Sequence, residues 1–517
     1  MGVIAKQSIK GTIVTYIGVA VGFVTTFFVI TRFLSAEEIG LARVLIDAAT
    51  LFIGLAQLGT YASILRFYPY FVSNSVSDLT AQRSNSVSGL TAQRSDEHGF
   101  FFWTMVVPLI GFVLVAAIFF ACHEPLSRWF GEKSPLFVSY YYFVLPLAFC
   151  LLYQTVFETN ANVRMHIVVP RAVRELLTRI GLLVVYLLYA FRVLTIDGFV
   201  LALIGVYALA AVCNGAYLFS LGGISLKPDF AFLKAHKDIV HKYLLYTAFL
   251  VVSAVASVLA PTLSSFFITA QMGLSFTGIF AIATYISVMV SIPYRSLTAI
   301  ASPQLSLAIK ENQHDEAGLL LGQVSRNLLL IGGLILAAIW VNIDLIFQIL
   351  PNGDTYAVAK YAVLLLGFGQ LIVATFQFAL TALSYSRYYP FSLLYSFILT
   401  ALALVLNNLF IPRWGMNGAA CASLIAQAVY FLLVTLTVRY AVGCRMVTGK
   451  HLLIAALLAG IFAANALFLW LLPAMNIWLS SILRSLFILL AAIAAYRLQL
   501  SPELNDHINA LLHRVRL

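Results

Sequence analysis

Charged side chains are scarce in this chain, and those set within its apolar stretches are the ones that could do chemistry. Residues 171–179 read Arg-Ala-Val-Arg-Glu-Leu-Leu-Thr-Arg. At helical spacing Arg171, Arg174 and Glu175 share one turn, and Arg179 lies one turn above Glu175. Elsewhere Asp47 stands four residues after Arg43, Glu158 and Arg66 each close an apolar stretch, Arg295 follows Pro293, and Arg326 opens a stretch. A guanidinium forks two hydrogen bonds onto one phosphate, so Arg66, Arg174, Arg179, Arg295 and Arg326 are candidate ligands for a phosphate-bearing substrate. A plainer role competes, in which long basic side chains snorkel to lipid headgroups and Glu175 simply pairs with Arg179. For Arg66, Arg171 and Arg326, near the ends of stretches, the plainer role suffices. Arg179 and Arg295 lie deeper, and there both readings stand.

Enzyme signatures do not appear. There is no P-loop, dinucleotide fingerprint, HExxH or nucleophile elbow, so no catalytic residue is assigned and no cofactor is expected. The five cysteines (Cys122, Cys150, Cys213, Cys421, Cys444) lack CxxC or Cys/His metal spacing and read as packing residues; His236 and His241 share an amphipathic stretch without further ligands. No metal site is assigned.

The elements that must position these residues are apolar helices. Of 517 residues, 62% are hydrophobic and only 10% charged, with mean hydropathy +0.96. Runs of about 20 apolar residues, each enough to cross a bilayer as a helix, recur end to end. The chain reads as an all-α polytopic membrane protein of about fourteen spans. Their expected ranges are 12–34, 42–65, 99–121, 136–158, 171–192, 198–221, 243–268, 274–300, 322–345, 357–381, 387–411, 416–439, 451–473 and 476–496. Lys6 and Lys10 before the first resemble a signal peptide, but no small-residue cleavage site follows and Arg32 closes the span, so an uncleaved helix is expected. Pro108, Pro146, Pro261 and Pro293 interrupt spans and permit kinks.

Placing the N-terminus in the cytoplasm puts most of the 31 basic residues in or beside inner segments. Seven fall outside (Arg32, Arg43, Arg128, Lys133, Arg192, Lys360, Arg413), while Arg179, Arg295 and Arg484 lie within spans. Both termini are therefore expected inside. The net charge of +11 reads as this topology signal plus attraction to anionic membrane lipids, with no nucleic-acid partner. Outer loops are short. The inner loop 66–98 carries a tandem copy, Asn74–Ser84 and Asn85–Ser95, that differs only at Asp78 and Gly89, the mark of a duplication in a loop tolerant of insertion. Weaker echoes pair Pro170 and Gly198 with Pro390 and Gly418. They favour two parallel six-helix lobes, 1–221 and 243–440, joined by a cytoplasmic linker 222–242 and followed by an extra helix pair 441–497 and a cytoplasmic tail 498–517. Two such lobes facing a central cavity are a transporter architecture.

Several motifs resemble one family. Lys6-Gln-Ser-Ile-Lys10 followed by Phe33-Leu-Ser-Ala-Glu-Glu38-Ile-Gly40 is similar to the opening of bacterial polysaccharide and O-antigen flippases. Gly59 through Arg66-Phe-Tyr-Pro69 resembles the end of their second span, and Ile279 through Tyr285 with Ile292-Pro293-Tyr-Arg295 their eighth. Most specific is the N-x-x-x-I-P-x-W-G-x-x-G-A-A turn running from Asn407 to Ala420. The resemblance covers about residues 1–440. It implies the fold of the superfamily of multidrug, oligosaccharidyl-lipid and polysaccharide exporters, and movement of a polyprenyl-diphosphate-linked oligosaccharide to the outer leaflet of a bacterial cytoplasmic membrane. Partners implied are that lipid-linked oligosaccharide, membrane lipids and other polysaccharide-assembly proteins. Many relatives carry an acid in the seventh span, where Leu263-Ser264-Ser265 has none; Asp47, Glu158 or Glu175 could take over ion coupling. The alternative is a cation-coupled multidrug exporter of the same fold. Such exporters typically place an acid in the first span, and residues 13–30 hold no charge. A membrane-embedded polymerase or transferase is disfavoured by the short outer loops.

Overall fold

The computed structural model describes residues 14–15, 17–61, 63–64, 68, 99–222, 224, 226–230, 259, 262–472, 475–506 and 509. Arg66, the tandem repeat 74–95, most of the linker 222–242 and most of the span expected over 243–268 lie outside them. The described residues are 87% helical with no strand. Helices satisfy every backbone group internally, which is what a hydrocarbon environment demands. Among the described residues ten helices, with Pro390–Val442 taken as one, are long and apolar enough to cross a membrane, and the apolar helix Ile17–Phe33 is shorter. The chain divides into two compact units, 1–262 and 263–517.

Unit 1 contains α1 (Ile17–Phe33), α2 (Ala36–Ala56), α3 (Phe100–Ala121), a short α4 (His123–Gly131), α5 (Tyr141–Val163), α6 (168–190) and α7 (Ile196–Ser220). The Phe33–Gly40 motif encodes a helix start. Ser35 Oγ accepts from the Glu38 backbone N–H at 3.3 Å, and Glu38 Oε2 accepts from the Ser35 N–H at 2.8 Å. This capping box starts α2 before the expected 42. Its regular helix ends at Ala56, because Leu58 and Gly59 adopt left-handed backbone. α3 presses its Gly111 on that break; a Cβ there would lie 2.0 Å from the Ala56 carbonyl. α5 packs on α2 and α7, and α6 on α7 and α1. Two π-helical turns, Thr25–Ile30 and Val173–Leu177, sit in α1 and α6.

Unit 2 contains α8 (262–272), α9 (274–310), α10 (His314–Val341), a short α11 (Ile343–Ile349), α12 (Lys360–Tyr385), α13 (390–414), α14 (416–437), α15 (Gly449–Leu471) and α16 (Ile477–Arg497). α9 tightens to a 3₁₀ turn at Met289–Ser291, directly before Pro293. α13 and α14 meet at Gly415, whose φ of 56° and ψ of −134° suit only glycine, so the N-x-x-x-I-P-x-W-G turn is a backbone requirement. α12 packs on α9, α10, α13 and α14, and α10 also packs on α15 and α16. The core between them is apolar, with Leu305, Leu321, Leu328, Phe378, Leu383 and Val434 fully buried.

Candidate functional site

Charge gathers in unit 1 where α5 and α6 meet. α5 runs five residues past Glu158, to Val163, so that Glu158 is not at a helix end as expected but buried within the helix. Arg174 Nη1 lies 2.9 Å from Glu158 Oε1, and its Nε lies 3.5 Å from Glu175 Oε1. Arg179 Nη2 donates to the other Glu175 oxygen at 3.0 Å. The result is an alternating chain, Glu158–Arg174–Glu175–Arg179, in which each carboxylate faces a guanidinium that offsets the cost of burying it. Both acids are buried, whereas the Arg174 side chain is 49% exposed. Arg171, one turn earlier, is partly buried and makes no ion pair among the described residues. The network is neutral in itself, so its capacity for an added anion comes from the exposed side of Arg174 and from Arg171.

Local backbone builds this arrangement. The π turn Val173–Leu177 carries Arg174 and Glu175, and Thr178 Oγ1 donates to the Val173 carbonyl at 3.1 Å across it. Such single-turn insertions are frequent at functional sites. α1 meets it with two glycines a turn apart. Arg179 Nη1 donates to the Gly18 carbonyl at 2.8 Å. A Cβ on Gly18 would sit 2.5 Å from the Glu175 carbonyl oxygen, and one on Gly22 would sit 2.4 Å from Arg179 Nη1. The pair forms a notch that admits a guanidinium and a bulged helix at backbone distance.

Arg43 Nε and Asp47 Oδ2 form the expected i, i+4 pair at 2.8 Å on α2, with Asp47 6% exposed. Arg295 is exposed on α9 and has no ion pair among the described residues. Arg326 lies three turns inside α10, because that helix starts at His314 and not near 322; its Nη2 donates to both oxygens of Glu503, at 2.6 and 2.8 Å. Arg66 is outside the described residues. The seventh-span segment without an acid forms a neutral cluster in unit 2: Ser264 Oγ donates to Asn407 Oδ1 at 3.1 Å and meets Ser423 Oγ at 3.1 Å.

Sequence reasoning missed four features. The Gly18–Gly22 spacing was readable as a close-approach face but needed a partner to give it meaning. Glu503 lies far from Arg326 in sequence. Ser264, Asn407 and Ser423 come from three helices. Arg484, recognised only as lying within a span, is 2% exposed and held by neutral groups, the Ser480 carbonyl at 3.2 Å and Asn465 Oδ1 and Ser481 Oγ at 3.4 Å.

Sequence comparison finds no matching family model and no matching curated relative. Solved structures do match. The lipid II flippase MurJ, in an inward closed conformation, aligns with a TM-score of 0.67 at 13% identity, over 95% of this chain and 99% of that one. An inward-facing multidrug resistance MATE transporter of the MOP superfamily aligns at 0.57 and 14% identity, over 86% and 95%. A point mutant of the Vibrio cholerae MATE transporter VcmN aligns at 0.56 and 14% identity, over 85% and 97%. The fold is the one these solved transporters share. It is shared with the flippase over nearly its whole length and with the multidrug transporters over somewhat less.

Proposed function

We propose that the chain is a flippase that moves a polyprenyl-diphosphate-linked oligosaccharide from the cytoplasmic to the outer leaflet of a bacterial cytoplasmic membrane by alternating access. The observation that carries this reading is the Glu158–Arg174–Glu175–Arg179 network, set in a fold that matches a lipid-linked-substrate flippase along nearly all of its length. In this reading the exposed face of Arg174 and the neighbouring Arg171 receive the diphosphate, and Arg179, backed by Gly18, fixes the network's geometry. Glu175 and Glu158 carry ion coupling, since a proton on either carboxylate would free Arg174 toward the substrate. Both termini are cytoplasmic, as the basic asymmetry suggests. The protein has no enzymatic step and works beside other polysaccharide-assembly proteins.

The multidrug transporters of the same fold support a cation-coupled drug exporter as the second reading. Against it stands α1, which carries no ionisable side chain before Arg32. Deleting the gene in its native host separates the two. Loss of surface glycan with accumulation of the lipid-linked precursor is the expected outcome. Unchanged surface glycan with heightened sensitivity to cationic drugs would replace the flippase reading with the exporter.

A further inference from the structure

The Arg326 guanidinium is engaged in an unusual way. The residue is only 9% exposed, yet both Glu503 oxygens converge on its single Nη2 atom, and its buried Nε has no hydrogen-bond partner among the described residues. A carboxylate that filled this guanidinium would take Nε and Nη2 together as a fork. A charged donor left without an acceptor in a buried position is a standing demand for another oxygen. The occupant also arrives from outside the helical core. Glu503 belongs to the short segment after α16, and its side chain is 31% exposed against 11% for Arg326. That segment is seated by replaceable polar contacts: Ser501 Oγ donates to Asn327 Oδ1, Lys450 Nζ donates to the Gln499 carbonyl at 3.0 Å, and Asn505 Nδ2 donates to the Tyr496 carbonyl at 2.8 Å. Leu500 and Ser501 are buried beneath it.

We infer that Arg326, with Lys450 beside the same tail, is a binding site for a phosphate-bearing anion, and that Glu503 fills it as a built-in occupant which the anion displaces. The tetrahedral oxygens of a phosphate can reach Nε and Nη2 at once, which the carboxylate here does not. Shared phosphate chemistry admits two sources, the headgroup of an anionic phospholipid and free phosphate. The site lies wholly within unit 2 and is independent of the proposed transport activity, so its test reads binding and not export.

The test uses the purified full-length protein, titrated in separate arms with phosphatidylglycerol and with inorganic phosphate, with binding followed by native mass spectrometry for the lipid and by thermal shift for phosphate. Glu503→Gln removes the competing charge and should bind the anion about tenfold more tightly than the native chain, since affinity scales with the fraction of open sites. The double variant Arg326→Gln/Glu503→Gln should lose that gain. A gain with phosphatidylglycerol alone assigns the site to a lipid headgroup, and a gain with both assigns it to phosphate in general. No difference between Glu503→Gln and the double variant in either arm overturns the inference. A readout free of any variant is amide exchange of residues 500–506 in the native protein. Exchange should quicken when the anion is added, and unchanged exchange at saturating concentrations of both ligands would equally overturn displacement.

Discussion

Unit 1 buries Glu158 and Glu175 against the arginines of α6, whereas the polar cluster of unit 2 on α8, α13 and α14 contains only Ser264, Asn407 and Ser423. The charged network comes with special backbone: a π turn in α6, a second in α1 and a two-glycine notch that lets the helices touch. The neutral cluster lies on helices interrupted only by the Gly415 break between α13 and α14, with Asn407 Nδ2 also donating to the Ala403 carbonyl at 2.8 Å. Elsewhere in unit 2 Arg326 is held by Glu503, Arg484 by neutral oxygens, and Arg295 is exposed. Burying an ion requires partners and geometry that a hydroxyl does not. In unit 1 the π turn of α6 carries two members of the charged network, Arg174 and Glu175.

The contrast breaks most visibly at Arg174. Arg174→Gln leaves Glu158 without its ion-pair partner and Glu175 with only Arg179, and a buried carboxylate stripped of its cation costs about 3 kcal/mol, discounted for the half-exposed arginine. Ser264→Ala removes neutral hydrogen bonds worth about 1 kcal/mol. Thermal unfolding in detergent should rank Arg174→Gln well below Ser264→Ala; equal midpoints would mean that the charged network is no more consequential than the neutral one.

The glycine notch sharpens the comparison at a smaller magnitude. A valine at Gly18 meets the Glu175 carbonyl, which belongs to a packed helix and cannot move aside, and overpacking of this kind costs about 1–3 kcal/mol. An alanine at Gly22 meets the end of the Arg179 side chain, which can shift. Gly18→Val should lower both stability and export more than Gly22→Ala. The reverse order would show that α1 is not held against α6 by that carbonyl.

In unit 2 the smallest effect concerns pH. Burial alone would raise the Glu503 carboxyl, but hydrogen bonds from Arg326, its own backbone and Ser501 outweigh burial and hold it below its ordinary value of 4.5. A depressed carboxyl contributes stability that is present above that value and is lost as pH falls through the lower folded one. Exposure of residues 500–506 to a protease should therefore stay constant from neutral pH down to the ordinary carboxylate range and rise only below it. In Glu503→Gln this acid-induced rise should vanish; its persistence would place the titrating group elsewhere.

Much of the fold is readable from the residues because hydrocarbon imposes length and polarity on every span. The helices at 99–121, 387–411, 416–439, 451–473 and 476–496 agree with α3 and α13–α16 to within a few residues. Ends shift where a local device intervenes, as at Ser35, whose capping box starts α2 early, or where a helix continues beyond its apolar stretch, as α10 does ahead of Arg326. The Glu175–Arg179 and Arg43–Asp47 pairs follow from i, i+4 spacing and are found as such. Glu158–Arg174 and Arg326–Glu503 are tertiary, and no spacing rule reaches across separate helices. Arg326 illustrates the limit well, since its sequence position fits a side chain that snorkels to headgroups, with anion binding the competing role, and the fold supplies it with a carboxylate from the tail.

Flipping in proteoliposomes measures the role of the unit 1 network most directly, using a fluorescent short-chain polyprenyl-diphosphate oligosaccharide and an external quencher. The native protein should expose the internal label to quencher faster than protein-free liposomes. Arg174→Gln should slow that exposure by about tenfold or more, in line with the loss of a charge-assisted contact. The double variant Glu158→Gln/Arg174→Gln restores charge balance without restoring the guanidinium, so it should remain slow. Full recovery in the double variant would reduce Arg174 to a structural partner of Glu158, and a native protein no faster than empty liposomes would contradict the flippase reading.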